Sequence, residues 1–193
     1  MKSENLMNNN TATRIYADIE AIRQTADAVA ANRRLGEVTF TMNAQSTGGL
    51  ASRVATGALI QGGVSDDSRA GKFTVGTDEP VALLGTDTAI SPAEYILTGL
   101  AGCYTVTLAS LAASRNITLD EVRISLGFEI DLGGFLGIDD SVRKGARSIK
   151  VDVEIDSPDA SREQLEELVS ALEETSPILD TIANPVPVTT LLR

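Results

Sequence analysis

Residues 91–114 read SPAEYILTGLAGCYTVTLASLAAS, and this stretch decides the fold. Ser91 and Glu94 have the spacing of a capping box. The Ser91 hydroxyl can accept from the backbone amide three residues on, and the Glu94 carboxylate can reach back to the amide of Ser91. Pro92 suits the first helical position, where its missing N–H would have had no partner. No charge follows from Tyr95 to Ser114. A helix that is apolar all round belongs in a core, so the pattern predicts a buried helix over 91–114 with Asn116 near its stop. Its length also suits a bilayer. However, Thr98, Thr105, Thr107, Ser110 and Ser114 dilute it, and Glu94 rather than a basic residue flanks its start. We therefore expect no membrane association.

That helix carries Cys103, the one cysteine of the chain, and the chain has no histidine. Without His, the usual general base and the usual soft-metal ligand are missing. Thiol chemistry here must draw on Arg, Lys, carboxylates or an outside thiol. A buried lone cysteine can be inert filling. Two features favour a role for this one. Gly99 and Gly102 would let a backbone or substrate approach closely, and Tyr104 brings a phenol beside it. A reactive sulfur needs a nearby cation. Arg53, just past the Gly48-Gly49 turn, is the candidate.

Composition narrows the remaining classes. With 27 acidic against 16 basic residues, the net charge is −11, and such a chain repels phosphate backbones. No nucleic-acid partner is expected. The island Arg143, Lys144, Arg147, Lys150 reads as a solvated face. A single cysteine leaves no intramolecular disulfide, and MKSENLMNNNTATR has no apolar run to act as a secretion signal. The cytoplasm is the expected compartment. Gly57 to Gly62 has phosphate-loop spacing without the following Lys, and Gly133, Gly134 and Gly137 make no dinucleotide fingerprint. Asp66-Asp67 and Asp139-Asp140 lack the oxygen ligands of a calcium loop. No metal and no cofactor is expected.

The rest of the chain reads as α+β. Residues 1–12 are polar and read as a disordered tail. Residues 13–36 form an amphipathic helix with Ile15, Ile19, Ile22, Ala26 and Val29 at helical spacing. Residues 37–193 make one domain. Alternation at Val38, Phe40 and Met42 gives a half-buried strand, and 53–61 and 72–77 give further strands in a meander. Val122 to Ile130 and Ile149 to Ile155 alternate as a long hairpin. A second capping box at Ser161 and Gln164 opens a helix with Leu165, Leu168, Val169 and Leu172 on one face. Pro177 breaks it, and Val186, Val188 and Leu191 suggest a last edge strand.

The order of these elements, with SPAEYILTGLAGCY on the long helix, NITLDEVRISLGFEI after it and SPILDTI in the later helix, resembles the OsmC / organic hydroperoxide resistance family. The resemblance implies an intertwined homodimer with a curved antiparallel sheet and long buried central helices. It also implies peroxide reduction by a cysteine at the position of Cys103. In the family a second cysteine resolves the sulfenic acid, and an Arg and a Glu position thiolate and peroxide. Here the resolving position is Ser176. The position directly after the Pro is Ala93, with Glu94 one residue later.

Cys103, Arg53 and Glu94 are the candidate catalytic residues, with Leu97, Leu100 and Tyr104 lining the substrate. A hydroxyl at Ser176 cannot close a disulfide, so the expected reaction is a one-cysteine reduction of a small organic hydroperoxide. An external thiol would regenerate Cys103. The alternative is a non-catalytic dimer whose cleft, walled by Leu97, Leu100 and Leu108, holds a small apolar ligand.

Overall fold

The computed structural model describes residues 14–192; the expected tail at 1–12 lies outside them. The chain divides into two compact units. One comprises residues 19–99 and 127–149, the other 14–18, 100–126 and 150–192.

The first unit begins with helix α1 (Ile19–Ala31) and a 3-10 turn (Arg33–Gly36). The helix is shorter than the periodicity of 13–36 implies. Asn32 ends it, because its side chain accepts from the Arg34 amide at 3.3 Å and opens the tighter turn. Ile15 lies before the helix, with its backbone paired to Leu119 in an isolated antiparallel bridge within the second unit.

Strands β1 (Val38–Gly48), β2 (Ala51–Gln61), β3 (Val64–Asp66) and β4 (Thr74–Thr77) form an antiparallel sheet. β2 is its centre. It pairs along its length with β1 on one side and with β3 and β4 on the other. The register slips between Phe40 and Met42. Gly57 stands opposite that irregularity, where a Cβ would collide with the Thr41 hydroxyl. Gly57 is therefore required by packing within the sheet, and Gly62, with φ of 58°, belongs to the turn after β2; the two do not form a phosphate loop. β1 alternates as its sequence predicts, yet Val38, Phe40 and Met42 are all exposed. The expected burial of that face is absent within the single chain.

Helix α2 (Pro92–Ser114) runs through the division between the units. Its capping box is formed: the Ser91 amide donates to Glu94 Oε2 at 2.7 Å, and the Glu94 amide donates to Ser91 Oγ at 3.3 Å. Asn116, with φ of 55°, takes the left-handed conformation after its end.

β5 (Glu121–Glu129) and β6 (Ser148–Asp156), most of whose residues belong to the second unit, pair as the expected hairpin. The glycine-rich excursion between the strands contains a helical turn, α3 (Leu132–Phe135), in the first unit. The later helix is three pieces: α4 (Arg162–Ser170), α5 (Leu172–Thr175) and α6 (Pro177–Ala183). Both Ser161 bonds of the second capping box are present. The expected last strand does not form. Pro185 and Pro187 supply no amide for a ladder, and 184–192 are irregular and exposed.

The core sits in the second unit. Leu100, Tyr104, Leu108, Ala109 and Ala112 of α2 are buried, as are Leu119, Leu168 and Leu172. Fully burying a leucine side chain stabilises by roughly 1.5–3 kcal/mol. α2 is the one helix among the described residues long and apolar enough to cross a membrane. Its buried residues recur at i, i+4 and i+8, the pattern of a helix packed on one side.

Candidate thiol site

Cys103 lies midway along α2 and is half-buried. Its Sγ is 3.2 Å from the Ser176 hydroxyl, across 73 residues of sequence. Ser176 joins α5 to α6 and is only 2% exposed. It is also the N-cap of α6, where its Oγ accepts from the Leu179 amide at 3.3 Å. Pro177 in the first helical position accounts locally for the break that swings Ser176 inward. Thr107 Oγ1 stands at 4.0 Å from the sulfur, one turn along α2.

Tyr104 points into the core. Burial first, and then the charges of Glu173 and Cys103, push its phenol above the ordinary range. Leu97 and Leu100 share its helix face, and Leu100 is core. Cys103 is turned about 100° from Tyr104. Leu97 is turned about 120° from Cys103, whereas Leu100, three residues before it, is turned only about 60° and neighbours the sulfur on the helix surface.

Glu94 sits in the first turn of α2. The Ser91 backbone amide and then the Ser91 hydroxyl hold its carboxyl below the usual carboxylate range. Nine residues of ideal helix turn about 900°. Glu94 and Cys103 therefore leave α2 on opposite faces, and the glutamate serves the cap. Arg53 is exposed on β2, opposite Gln45 of β1 and Gly76 of β4. Among the described residues no group of three or more His, Cys, Asp or Glu could hold a metal.

Sequence reasoning missed Asp78, which is 1% exposed. Its Oδ1 accepts from the Glu79 amide at 2.8 Å. Its Oδ2 accepts from the amides and hydroxyls of Thr86 and Thr88, at 2.6–3.1 Å. These bonds, the Thr86 hydroxyl first, hold its carboxyl far below the usual carboxylate range. The carboxylate ties the loop before α2 to itself. The one visible signal was Asp78, Thr86 and Thr88 together in the single loop 78–90.

The OsmC-like protein family matches residues 85–191, which contain both Cys103 and Ser176. The chain belongs to the OsmC-like family. The OsmC-like fold recurs in solved structures. One is an OsmC-like protein from Mycoplasma pneumoniae, at 20% identity over 76% of this chain and 89% of that one, with a TM-score of 0.58. An organic hydroperoxide resistance protein OsmC from Legionella pneumophila aligns at 20% identity over 75% and 88%, with a TM-score of 0.53. OhrB of Bacillus subtilis, an organic hydroperoxide resistance protein, aligns at 24% over 76% and 92%, with a TM-score of 0.50. No curated protein matches the chain. These likenesses establish the α+β fold with its antiparallel sheets.

Proposed function

We propose that this OsmC-like protein reduces small organic hydroperoxides with Cys103 as its one reacting sulfur. The observation that supports this best is the 3.2 Å approach of Ser176 to Cys103. The chain keeps a half-buried sulfur and places at bonding range the residue that stands where the family has its resolving cysteine. Ser176 has no sulfur, so the cycle is completed from outside.

The thiolate attacks one peroxide oxygen and the O–O bond breaks. Cys103 becomes a sulfenic acid, and the alkoxide leaves and takes a proton to give the alcohol. A low-molecular-weight thiol then condenses with the sulfenic acid, releasing water and forming a mixed disulfide. A second such thiol attacks that disulfide, restoring Cys103 and leaving the oxidised small disulfide. The electrons come from the external thiol, and no cofactor takes part. We place this chemistry in the cytoplasm, where low-molecular-weight thiols are kept reduced.

The working form is a homodimer. Mid-helix glycine costs about 1 kcal/mol relative to alanine. Yet a Cβ at Gly99 or Gly102 would meet nothing within 4 Å in this chain. Val106 on the same stripe is 67% exposed, and Phe40 on β1 is 76% exposed. Apolar faces left open in one chain are what a second copy would cover. A cation to activate the sulfur, Arg53 included, would then be supplied within the assembled dimer.

The test is steady-state consumption of an organic hydroperoxide with monothiol or dithiol reductants. Wild type should turn over, and Cys103→Ser should fall to the uncatalysed rate. Equal rates for the two proteins would remove the reading.

A further inference from the structure

We infer that Ser176 is a positioning residue for Cys103: its hydroxyl hydrogen is donated to the sulfur and holds the thiolate in place. This rests on the reading of Cys103 as the reacting group, but its geometry stands by itself. A serine hydroxyl has one hydrogen to give and two lone pairs to receive with. At Ser176 one lone pair is already occupied by the Leu179 amide, at 3.3 Å. The residue is 2% exposed, so solvent cannot take the hydrogen. Buried polar hydrogens are satisfied almost without exception. Cys103 Sγ is the one other hydrogen-bond partner recorded for this hydroxyl among the described residues. The hydrogen therefore goes to sulfur.

The consequence depends on the charge on that sulfur. A neutral thiol is a weak acceptor, whereas a thiolate accepts strongly. The bond gains strength when Cys103 loses its proton to solvent, which favours the ionised form. It also fixes the sulfur on the side of α2 that faces the α5–α6 junction. A residue in the resolving position thus has a second use once the sulfur there is gone. It cannot trap the sulfenic acid, but it stabilises the nucleophile that precedes it. The same hydroxyl caps α6, so loss of the cap must be separated from loss of the donor.

The experiment is alkylation of Cys103 by iodoacetamide as a function of pH, on the full-length protein. Wild type is compared with Ser176→Ala, Ser176→Gly and Ser176→Thr. Glycine is an acceptable N-cap and has no hydroxyl, and threonine keeps both functions. A lost hydrogen bond to a charged group corresponds to roughly a tenfold change or more in ionisation. In Ser176→Ala and Ser176→Gly the midpoint of the alkylation profile should rise by about one pH unit. In Ser176→Thr it should stay with wild type. A midpoint unmoved in Ser176→Gly would overturn the inference, whatever happens to thermal stability. Failure of the peroxidase reading would show separately, as absence of hydroperoxide turnover in wild type with the alkylation shift intact.

Discussion

Replacing Ser176 by cysteine should convert a one-cysteine chain into one that closes its own disulfide. The sulfur of Cys103 and the oxygen it would meet are 3.2 Å apart. A disulfide bond is about 2.05 Å long, so the two groups must approach by roughly 1 Å, part of which the longer carbon–sulfur bond supplies. One hydroperoxide molecule would oxidise Cys103 to the sulfenic acid. The new thiol would then displace water from it, leaving one disulfide. That cross-link spans 73 residues of sequence. On the chain-entropy account, a loop of that size stabilises the folded state by about 4 kcal/mol, less any strain. The substituted N-cap costs about 1 kcal/mol, equally in oxidised and reduced protein. The comparison is therefore made within the variant, by urea unfolding with and without reductant, with thiols counted in parallel. The oxidised variant should show no titratable thiol and a higher unfolding midpoint than its reduced form. Two thiols still titratable after stoichiometric hydroperoxide or diamide would refute the placement of Ser176 at bonding range.

Two further perturbations address the proposed dimer and the loop before α2. Val106→Glu sets a charge on the exposed small-residue face of α2 and should shift sedimentation from dimer to monomer; an unchanged dimer would place the interface elsewhere. Asp78→Asn turns one acceptor oxygen into a donor facing donors already present, so it should destabilise the protein at neutral pH. The folded carboxyl is held below its unfolded value. Its contribution is therefore complete above the unfolded value of about 4. It is lost as pH falls toward the depressed folded value. The gap between wild type and Asp78→Asn in urea midpoint should accordingly be constant near neutrality and shrink below about pH 4. A gap that widens on acidification would contradict the hydrogen-bond account.

The fold was legible where local chemistry acts alone. Ser91, Pro92 and Glu94 announced α2, and Ser161 with Gln164 announced α4, because a cap is written within four residues. Alternation in β5 and β6 was legible for the same reason. What was not legible depended on distant partners. Ile15 leaves the helical pattern because its backbone pairs with Leu119. Val186 to Leu191 carry an edge-strand pattern but find no ladder. Phe40 and Met42 show the period of a half-buried strand without a covering layer in their own chain. At the site, Cys103 and the resolving position could be read from the resemblance, and their proximity follows from the fold. The donor role of Ser176 could not be read, because it depends on the Leu179 amide occupying the other side of the same oxygen. Glu94 shows the reverse case: its identity suggested chemistry, and helix geometry assigns it to the cap.

The central claim is that Cys103 takes an oxygen atom from a hydroperoxide and cannot pass it to a partner in its own chain. The most direct measurement is intact mass after one equivalent of an organic hydroperoxide, with dimedone present to trap sulfenic acid and no reductant. The account predicts one dimedone adduct per chain, located at Cys103, with one equivalent of alcohol released. Unchanged mass with the hydroperoxide still present would contradict it.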